Sequence, residues 1–327
     1  MDWRVKGVIQ KVLGGVPGGD RVHYMLQRRG GVLRNFETEC DIKVDDWRLM
    51  MGHLRESRAR VAGASFFEIG TGWYPAFPLL LYFAGAARVD TVDLHALLRD
   101  ELVLACAERL REHLPLIARL TGEDPARLVT RHAELLQGLY RGDPLAEATH
   151  GVITYRAPCD AAATGLPDAT FDCVFSNSVL EHIPRDVIAE CFTEGRRILK
   201  PSGIAFHSVN CGDHYAYADR TIDQLHYLQY SEADWARWNN RFLYQNRLRA
   251  IDFTELATAA GFDLEIDTSR PHPERLRQLE QIDVDPMFAH YSREQLAITS
   301  VDFVARQPPR ATVAVPRRYA RAESPTA

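Results

Sequence analysis

The stretch Phe66-Phe67-Glu68-Ile69-Gly70-Thr71-Gly72-Trp73-Tyr74-Pro75 constrains this chain more than any other. An apolar run ends in an acid and then breaks into two glycines one residue apart, which is the pattern of a buried strand feeding a tight turn. Glycine at 70 and 72 admits positive φ and lets the backbone approach a ligand as side chains would not allow. A second β-branched run, Arg88 to Asp93, ends in another acid, and Asp93 is suited to accept hydrogen bonds from ribose hydroxyls. A pyrophosphate-binding turn would carry a third glycine at the head of the next helix. Trp73, Tyr74 and Pro75 stand there instead, and Glu68 suits a cationic or amino-bearing ligand. The strands, turn and acid point to a nucleoside site. The plainer alternative is a glycine turn that only joins strand to helix.

Residues 1–63 read as a helical cap. Val5, Val8, Ile9, Val12 and Leu13 form an amphipathic face that stops at the glycine-rich Gly14 to Gly19. A second helix follows. Trp47, Met51, Leu54 and Val61 then mark a longer helix from about residue 45 to 62. These helices either cover a sheet edge or form a lid; the reading favoured is a mixture in which the last helix is structural. Between Asp93 and the third strand, Val152 to Arg156, residues 97–148 read as an inserted helical pair, Leu97 to Leu120 and Pro125 to Tyr140.

The third strand runs into a loop containing Asp160-Ala161, where a carboxylate and a free amide can read an adenine, unless Asp160 only makes an Asx turn. Next, Leu166-Pro167-Asp168, Phe171-Asp172, Ser176-Asn177 and Leu180-Glu181-His182-Ile183 follow as turn, strand, strand end and helix start. The Leu199-Lys200-Pro201-Ser202-Gly203 reversal leads into the strand Ile204 to Asn210.

In this order the motifs resemble those of the class I S-adenosylmethionine-dependent methyltransferases. The stretch Leu166 to Pro184 is similar to the fourth motif of the type 11-like methyltransferase domain family. The resemblance covers roughly Phe66 to Ala305 and implies an α/β fold: a Rossmann-like, seven-stranded, mostly parallel sheet with helices on both faces, here with an N-terminal helical segment and a helical, aromatic cap. It implies S-adenosyl-L-methionine as cofactor, with Glu68, Gly70, Thr71 and Gly72 at its methionine end, Asp93 on the ribose and Asp160 and Ala161 on the adenine. Ser176 and Asn177 would then border the transferred group, with His182 as a general base. Some relatives bind magnesium through Glu-x-x-Glu-His. Ser178 replaces the first Glu here, and a hard cation wants several oxygen ligands, so no metal is expected.

Cys211 to Tyr244 interleaves aromatics with hydrogen-bonding groups, the composition of a substrate lid over a polar organic molecule (211–245) or of an ordinary cap with a satellite core. His214, just past the strand end, is the first candidate for a catalytic base, while His207 inside the strand reads as a core histidine. Phe262 to Ile266 and Thr299 to Ala305 are the last two strands, an antiparallel edge pair by the resemblance, within a domain spanning 64–306; residues 307–327 read as a disordered tail.

Net charge is −5, giving no general footprint for nucleic acid or an anionic membrane. The six cysteines include no Cys-x-x-Cys pair, and no run has transmembrane or signal-peptide character, so the expected setting is the cytoplasm. The partner expected is a small molecule, with no nucleic acid and no membrane; the oligomeric state stays open. These expectations combine into a methyltransferase of secondary metabolism or of sugar-like acceptors, O-directed. Two alternatives are intramolecular chemistry on S-adenosylmethionine that releases methylthioadenosine, and a non-catalytic nucleoside-binding protein.

Overall fold

Strand β1 (Ser65–Ile69) is buried on both faces, because Phe66 and Phe67 alternate across the pleat and each meets its own apolar layer. Six further strands, β2 (Arg88–Val92), β3 (Ile153–Arg156), β4 (Phe171–Asn177), β5 (Leu199–Asn210), β6 (Asp263–Asp267) and β7 (Ser300–Arg306), complete one sheet. Its order is β3-β2-β1-β4-β5-β7-β6. The first five strands pair in parallel, whereas β7 runs antiparallel to both β5 and β6. The chain moves outward from β1 through β2 to β3 and then returns to lay β4 on the other side of β1. That reversal opens a crevice at the carboxyl ends of β1 and β4, where open α/β sheets bind ligands. The computed structural model describes residues 1–308.

The α-helices of the described residues are α1 (Trp3–Gly14), α2 (Gly19–Gly30), α3 (Phe36–Glu56), α4 (Ala76–Phe83), α5 (Asp100–Leu110), α6 (Leu114–Thr121), α7 (Pro125–Arg141), α8 (Leu145–Ala148), α9 (Arg185–Ile198), α10 (Glu232–Trp235), α11 (Ala250–Ala259), α12 (Pro273–Gln278) and α13 (Arg293–Leu296). One sheet face is covered by α3 to α7, the other by α9 and α11. The inserted segment therefore packs on the sheet. Its first helix starts at Asp100 and is interrupted by a 3-10 turn at 111–113, one break more than the sequence suggested. Helix α3 begins at Phe36 and ends at Glu56, earlier at both ends than expected, and buries Cys40, Val44, Trp47, Met50 and Leu54. Ser178 does not open a helix; a 3-10 turn, Leu180–His182, comes first and α9 starts after Pro184.

Helix α1 reverses its expected orientation. Asp2 caps it, accepting from the amides of Arg4 and Val5 at 2.8 and 3.2 Å. Its buried face is Trp3, Gly7 and Gln10, while Val5, Val8, Ile9 and Val12 are 39–59% exposed. The cause is Trp3, which packs against Tyr215, Trp235 and Trp238 in a third cluster. A Cβ on Gly7 would sit 3.0 Å from the Tyr215 hydroxyl, so the glycine lets the helix seat against that cluster. At the other end, buried Gln307 donates from its amide to the Gly203 carbonyl at 2.9 Å. The sequence placed residue 307 in a tail; 309–327 lie outside the described residues. None of the described helices is long and apolar enough to cross a membrane.

The two faces of α1 give opposite expectations. Trp3→Ala removes a fully buried indole and lowers unfolding stability by about 3–5 kcal/mol, whereas Val8→Ser on the outer face changes it by about 0.5 kcal/mol or less. Urea unfolding followed by circular dichroism measures both; equal midpoints for the two variants would contradict this packing.

Candidate functional site

The two glycines of the turn after β1 are needed for different reasons. Gly70 has φ +85°, and a Cβ there would lie 2.5 Å from Val179 Cγ2, so the turn touches the segment following β4 directly. Its amide donates to the Val92 carbonyl at 2.8 Å, which ties the turn to β2. Gly72 has φ +73° and no atom within 4 Å of its Cβ position: this backbone faces open space. The Gly72 amide donates to both Asp93 oxygens at 3.1–3.2 Å, and the Tyr155 hydroxyl donates to Asp93 at 3.1 Å.

Glu68 and Asp93 are both buried at the head of this turn. Burial pushes Asp93 up to about 7 against the pull of the Gly72 amide and the Tyr155 hydroxyl. Glu68 rises further, to about 8, because burial outweighs its hydrogen bond from Thr91 and the Asp93 charge adds to it. Two carboxyl groups that burial drives towards their protonated forms gain from a positively charged or hydroxyl-bearing occupant, which would stabilise their anions in place of the lost water.

A cavity of about 990 Å³ opens in front of them. Glu68, the 70–73 turn and the segment Asp93 to Leu97 form one wall; Asn177, Ser178, Val179 and His182 form the facing one. The roof comes from outside the sheet. His23 of α2 stacks on Phe242 with ring centroids 4.0 Å apart, and Trp73 packs edge-on against His23 and Tyr24 at 5.9 and 5.7 Å. Trp73 thus fills the place a pyrophosphate site keeps small. From α3, Lys43 donates to the Asn177 side-chain carbonyl. Lys43, His23 and Tyr24 escaped the sequence reading, since they lie 25 or more residues from the turn and carry no motif; only the fold brings them there.

His182 is held by its second ring nitrogen. Nδ1 lies 2.6 Å from the Tyr244 carbonyl oxygen, which can only accept, so Nδ1 carries the hydrogen and Nε2 keeps its lone pair. Behind it sits His214, ring centroids 4.9 Å apart, with Nε2 3.9 Å from Glu181 Oε1. His214 Nε2 and Glu181 Oε2 are buried without hydrogen-bond partners. Burial lowers His214 to about 3, helped by the His182 charge, and raises Glu181. The donor atoms of Glu181, His182 and His214 fall within 4.8 Å of one another, the grouping among the described residues able to hold a cation. The expectation of no metal weighed Glu181 and His182 alone, because His214 is 32 residues further on.

Several sequence candidates sit elsewhere. Ser176 is fully buried and its hydroxyl pairs with His207 Nδ1 at 2.7 Å, because neighbours on a strand face opposite ways and Asn177 takes the cavity side. Asp160 is exposed and accepts from the Ala162 amide at 2.9 Å, the local turn of the alternative reading. Neither Asp160 nor Ala161 lines the cavity; from that loop Pro158 does. His214 lies behind His182 rather than on the wall. Of the expected aromatic lid, Phe242 and Arg241 reach the cavity, while Tyr215, Tyr227 and Trp235 are spent in the third core cluster.

Residues 108–207 match the family model described as a methyltransferase domain. That match spans β3, β4 and α9 and ends at His207, leaving the glycine turn and Asp93 N-terminal to it. No curated protein matches the chain. Among solved structures, a putative sarcosine dimethylglycine methyltransferase from Galdieria sulphuraria is 14% identical, with 83% of this chain and 88% of that one covered at a TM-score of 0.44. An S-adenosylmethionine-dependent methyltransferase from Mesorhizobium loti is 15% identical, covering 78% and 96% at 0.41. A Haemonchus contortus phosphoethanolamine N-methyltransferase 2 solved with S-adenosyl-L-methionine is 19% identical, covering 80% and 53% at 0.43.

The raised carboxylates set a pH dependence. Glu68 holds a proton in the folded state up to about 8, from an ordinary 4.5, so at this group the folded chain binds more protons than the unfolded one across that window. Glu68 therefore contributes stability at the acid end that is lost as pH rises from about 5 towards 8, while the buried His207 and His214, each lowered to about 3 from an ordinary 6.5, act in the opposite sense in the lower part of that window. Glu68→Gln should remove the Glu68 share, so that the melting temperature of the variant relative to the parent rises with pH across the window. Melting temperatures across that range measure it, and an unchanged slope in the variant would count against the Glu68 assignment.

Proposed function

We propose that this chain, which belongs to the class I S-adenosylmethionine-dependent methyltransferases, methylates a hydroxyl of a small polar acceptor, sugar-like or of secondary-metabolite type. The observation that carries the reading is the His182 imidazole at the cavity wall, fixed by Tyr244 with its free lone pair on Nε2. A hydroxyl is a poor nucleophile until its proton has somewhere to go, and an imidazole is suited to receive it near neutral pH.

The residues present fit the cofactor. Gly72 leaves open space for a close-lying ligand, Glu68 offers a carboxylate to a cationic or amino end, and Asp93 offers one to ribose hydroxyls. Gly70 and Thr71 complete the turn. Bound there, S-adenosylmethionine supplies a methyl group made electrophilic by its sulfonium. The protein's own contribution is then mainly positioning. Asn177, oriented by Lys43, and Ser178 offer polar contacts to an acceptor across the cavity from the turn; Trp73, Tyr24 and Phe242 offer flat faces that exclude water. His182 takes the proton, and the unpartnered His214 Nε2 and Glu181 Oε2 behind it provide a polar reserve for the charge that develops. Asp160, Ala161 and Ser176 have no contact role in this reading.

In the same reading residues 1–63 serve as a cap on the 64–306 domain, with α2 as roof and α3 as a structural layer. The acidic balance and the absence of a basic surplus around the cavity favour a small molecule over nucleic acid. All six cysteines are free thiols, Cys40 and Cys106 lying in contact at 3.6 Å without a bond, which suits a reducing compartment such as the cytoplasm.

Incubation of the purified protein with S-adenosylmethionine and a pooled metabolite extract, read by mass spectrometry, tests the reading. The expected products are S-adenosylhomocysteine, formed only with extract, and one acceptor heavier by a methyl group. With that acceptor, His182→Ala should lower kcat by about 10²–10⁴-fold and leave calorimetric cofactor binding intact; Gly70→Val should abolish that binding. Methylthioadenosine formed without extract would replace methyl transfer with intramolecular chemistry, and undiminished kcat in His182→Ala would remove the base.

A further inference from the structure

Helix α1 is amphipathic in the reverse sense to a helix that serves only as a cover. At about 100° per residue, Val5, Val8, Ile9 and Val12 fall in one stripe about 100° wide, and Val16 follows in the turn after the helix. Trp3, Gly7 and Gln10, the buried residues, fall opposite that stripe. All five aliphatic side chains are 39–59% exposed. Helix α2 also exposes aliphatics: Val22, Met25 and Leu26 are 39–48% exposed, while buried His23 lines the cavity roof. Large aliphatic side chains gathered on an exposed surface mark a site of association.

The charge around them identifies what associates. Residues 1–34 hold seven Lys and Arg against two Asp, a net +5, whereas the remaining 293 residues carry −10. Arg4, Lys11, Arg21, Arg28 and Arg29 are exposed beside the two stripes. A second copy placed face to face would oppose these cations to themselves. Residues 309–327 hold four Arg and one Glu, so they do not complement the patch either. An outward face of Val, Ile, Leu and Met without Trp or Tyr also lacks the aromatic anchors of a protein interface. A short aliphatic stripe bordered by Lys and Arg is instead the make-up of a helix lying in a bilayer interface, drawn by anionic headgroups.

We infer that the outer face of the α1–α2 pair docks the protein on an anionic lipid bilayer. The sequence expectation of no membrane rested on whole-chain charge and on the lack of a spanning segment, and neither bears on a helix that lies flat. This inference stands apart from the methyl-transfer reading. Its structural corollary is that the docked pair also roofs the cavity, since α2 supplies His23 and Tyr24.

The test is co-sedimentation of the full chain with equimolar phosphatidylglycerol and phosphatidylcholine vesicles, beside pure phosphatidylcholine vesicles. Binding is expected to the anionic vesicles alone and to weaken with added salt. Val8→Glu/Val12→Glu and Arg28→Glu/Arg29→Glu should each lower the partition about tenfold or more, with unchanged circular dichroism and cofactor binding. The inference is overturned by no partition into anionic vesicles or by partition that neither double variant reduces. It is likewise overturned by a dimer in analytical ultracentrifugation that Val8→Glu/Val12→Glu dissolves, which would assign the face to a second copy.

Discussion

One close approach registers the whole cavity: the contact between Gly70 and Val179. A left-handed glycine at residue 70 lets the β1 turn pack directly against the Val179 side chain of the segment after β4. The sheet order alone brings the carboxyl ends of β1 and β4 together, but the glycine sets the distance, and with it the gap between the acids on one wall and His182 on the other. Any Cβ at 70 would have to displace Val179 and also adopt a strained φ. Ser178, at φ +56°, shows that the facing segment is strained to meet it, its amide tied to the Ser208 carbonyl at 2.9 Å.

The same closeness explains the electrostatics. Packing the two walls together removes water from Glu68, Asp93, Glu181 and His214, and each moves towards its neutral form, the acids up and the imidazole down. Desolvated groups of this kind cost stability wherever they stay unpartnered. Glu68, Asp93, Glu181 and His214 gather at one crevice, whereas other buried polar groups of the sheet are paired, Asp90 with Arg88 and Arg156 and Ser176 with His207. Lys43 is the cation nearest to offsetting them, and it contributes to both Glu68 and Glu181.

The strands and the turn were legible because they are local. Alternation, β-branching and paired glycines are properties of five to ten consecutive residues, and all seven strands appear within a few residues of where the pattern puts them. What was not legible is whatever depends on which side of an element faces in. Ser176 and Asn177 are equivalent in sequence, yet the pleat gives one to His207 and the other to the cavity. Asp160 offers the same carboxylate to an adenine or to its own loop, and the Ala162 amide is the nearer partner. His214 looked like the exposed base because it follows the strand end, but the third cluster draws the chain after it inward and puts His182 in front.

Helix α1 makes the same point with the opposite sign. Apolar periodicity identified the helix correctly but assigned its faces wrongly, because the partner surface is an aromatic cluster that takes Trp3 and leaves the aliphatic stripe outside. Once Trp3 is seated among Tyr215, Trp235 and Trp238, glycine at 7 fixes how near the helix can lie, and the valine stripe has nowhere to go but out. A chain under selection for solubility alone would carry polar residues at those positions at no cost to the packing within. The exposed aliphatics Val22, Met25 and Leu26 of α2 share a helix with His23 and Tyr24, so the outer surface and the roof of the cavity are two sides of one element.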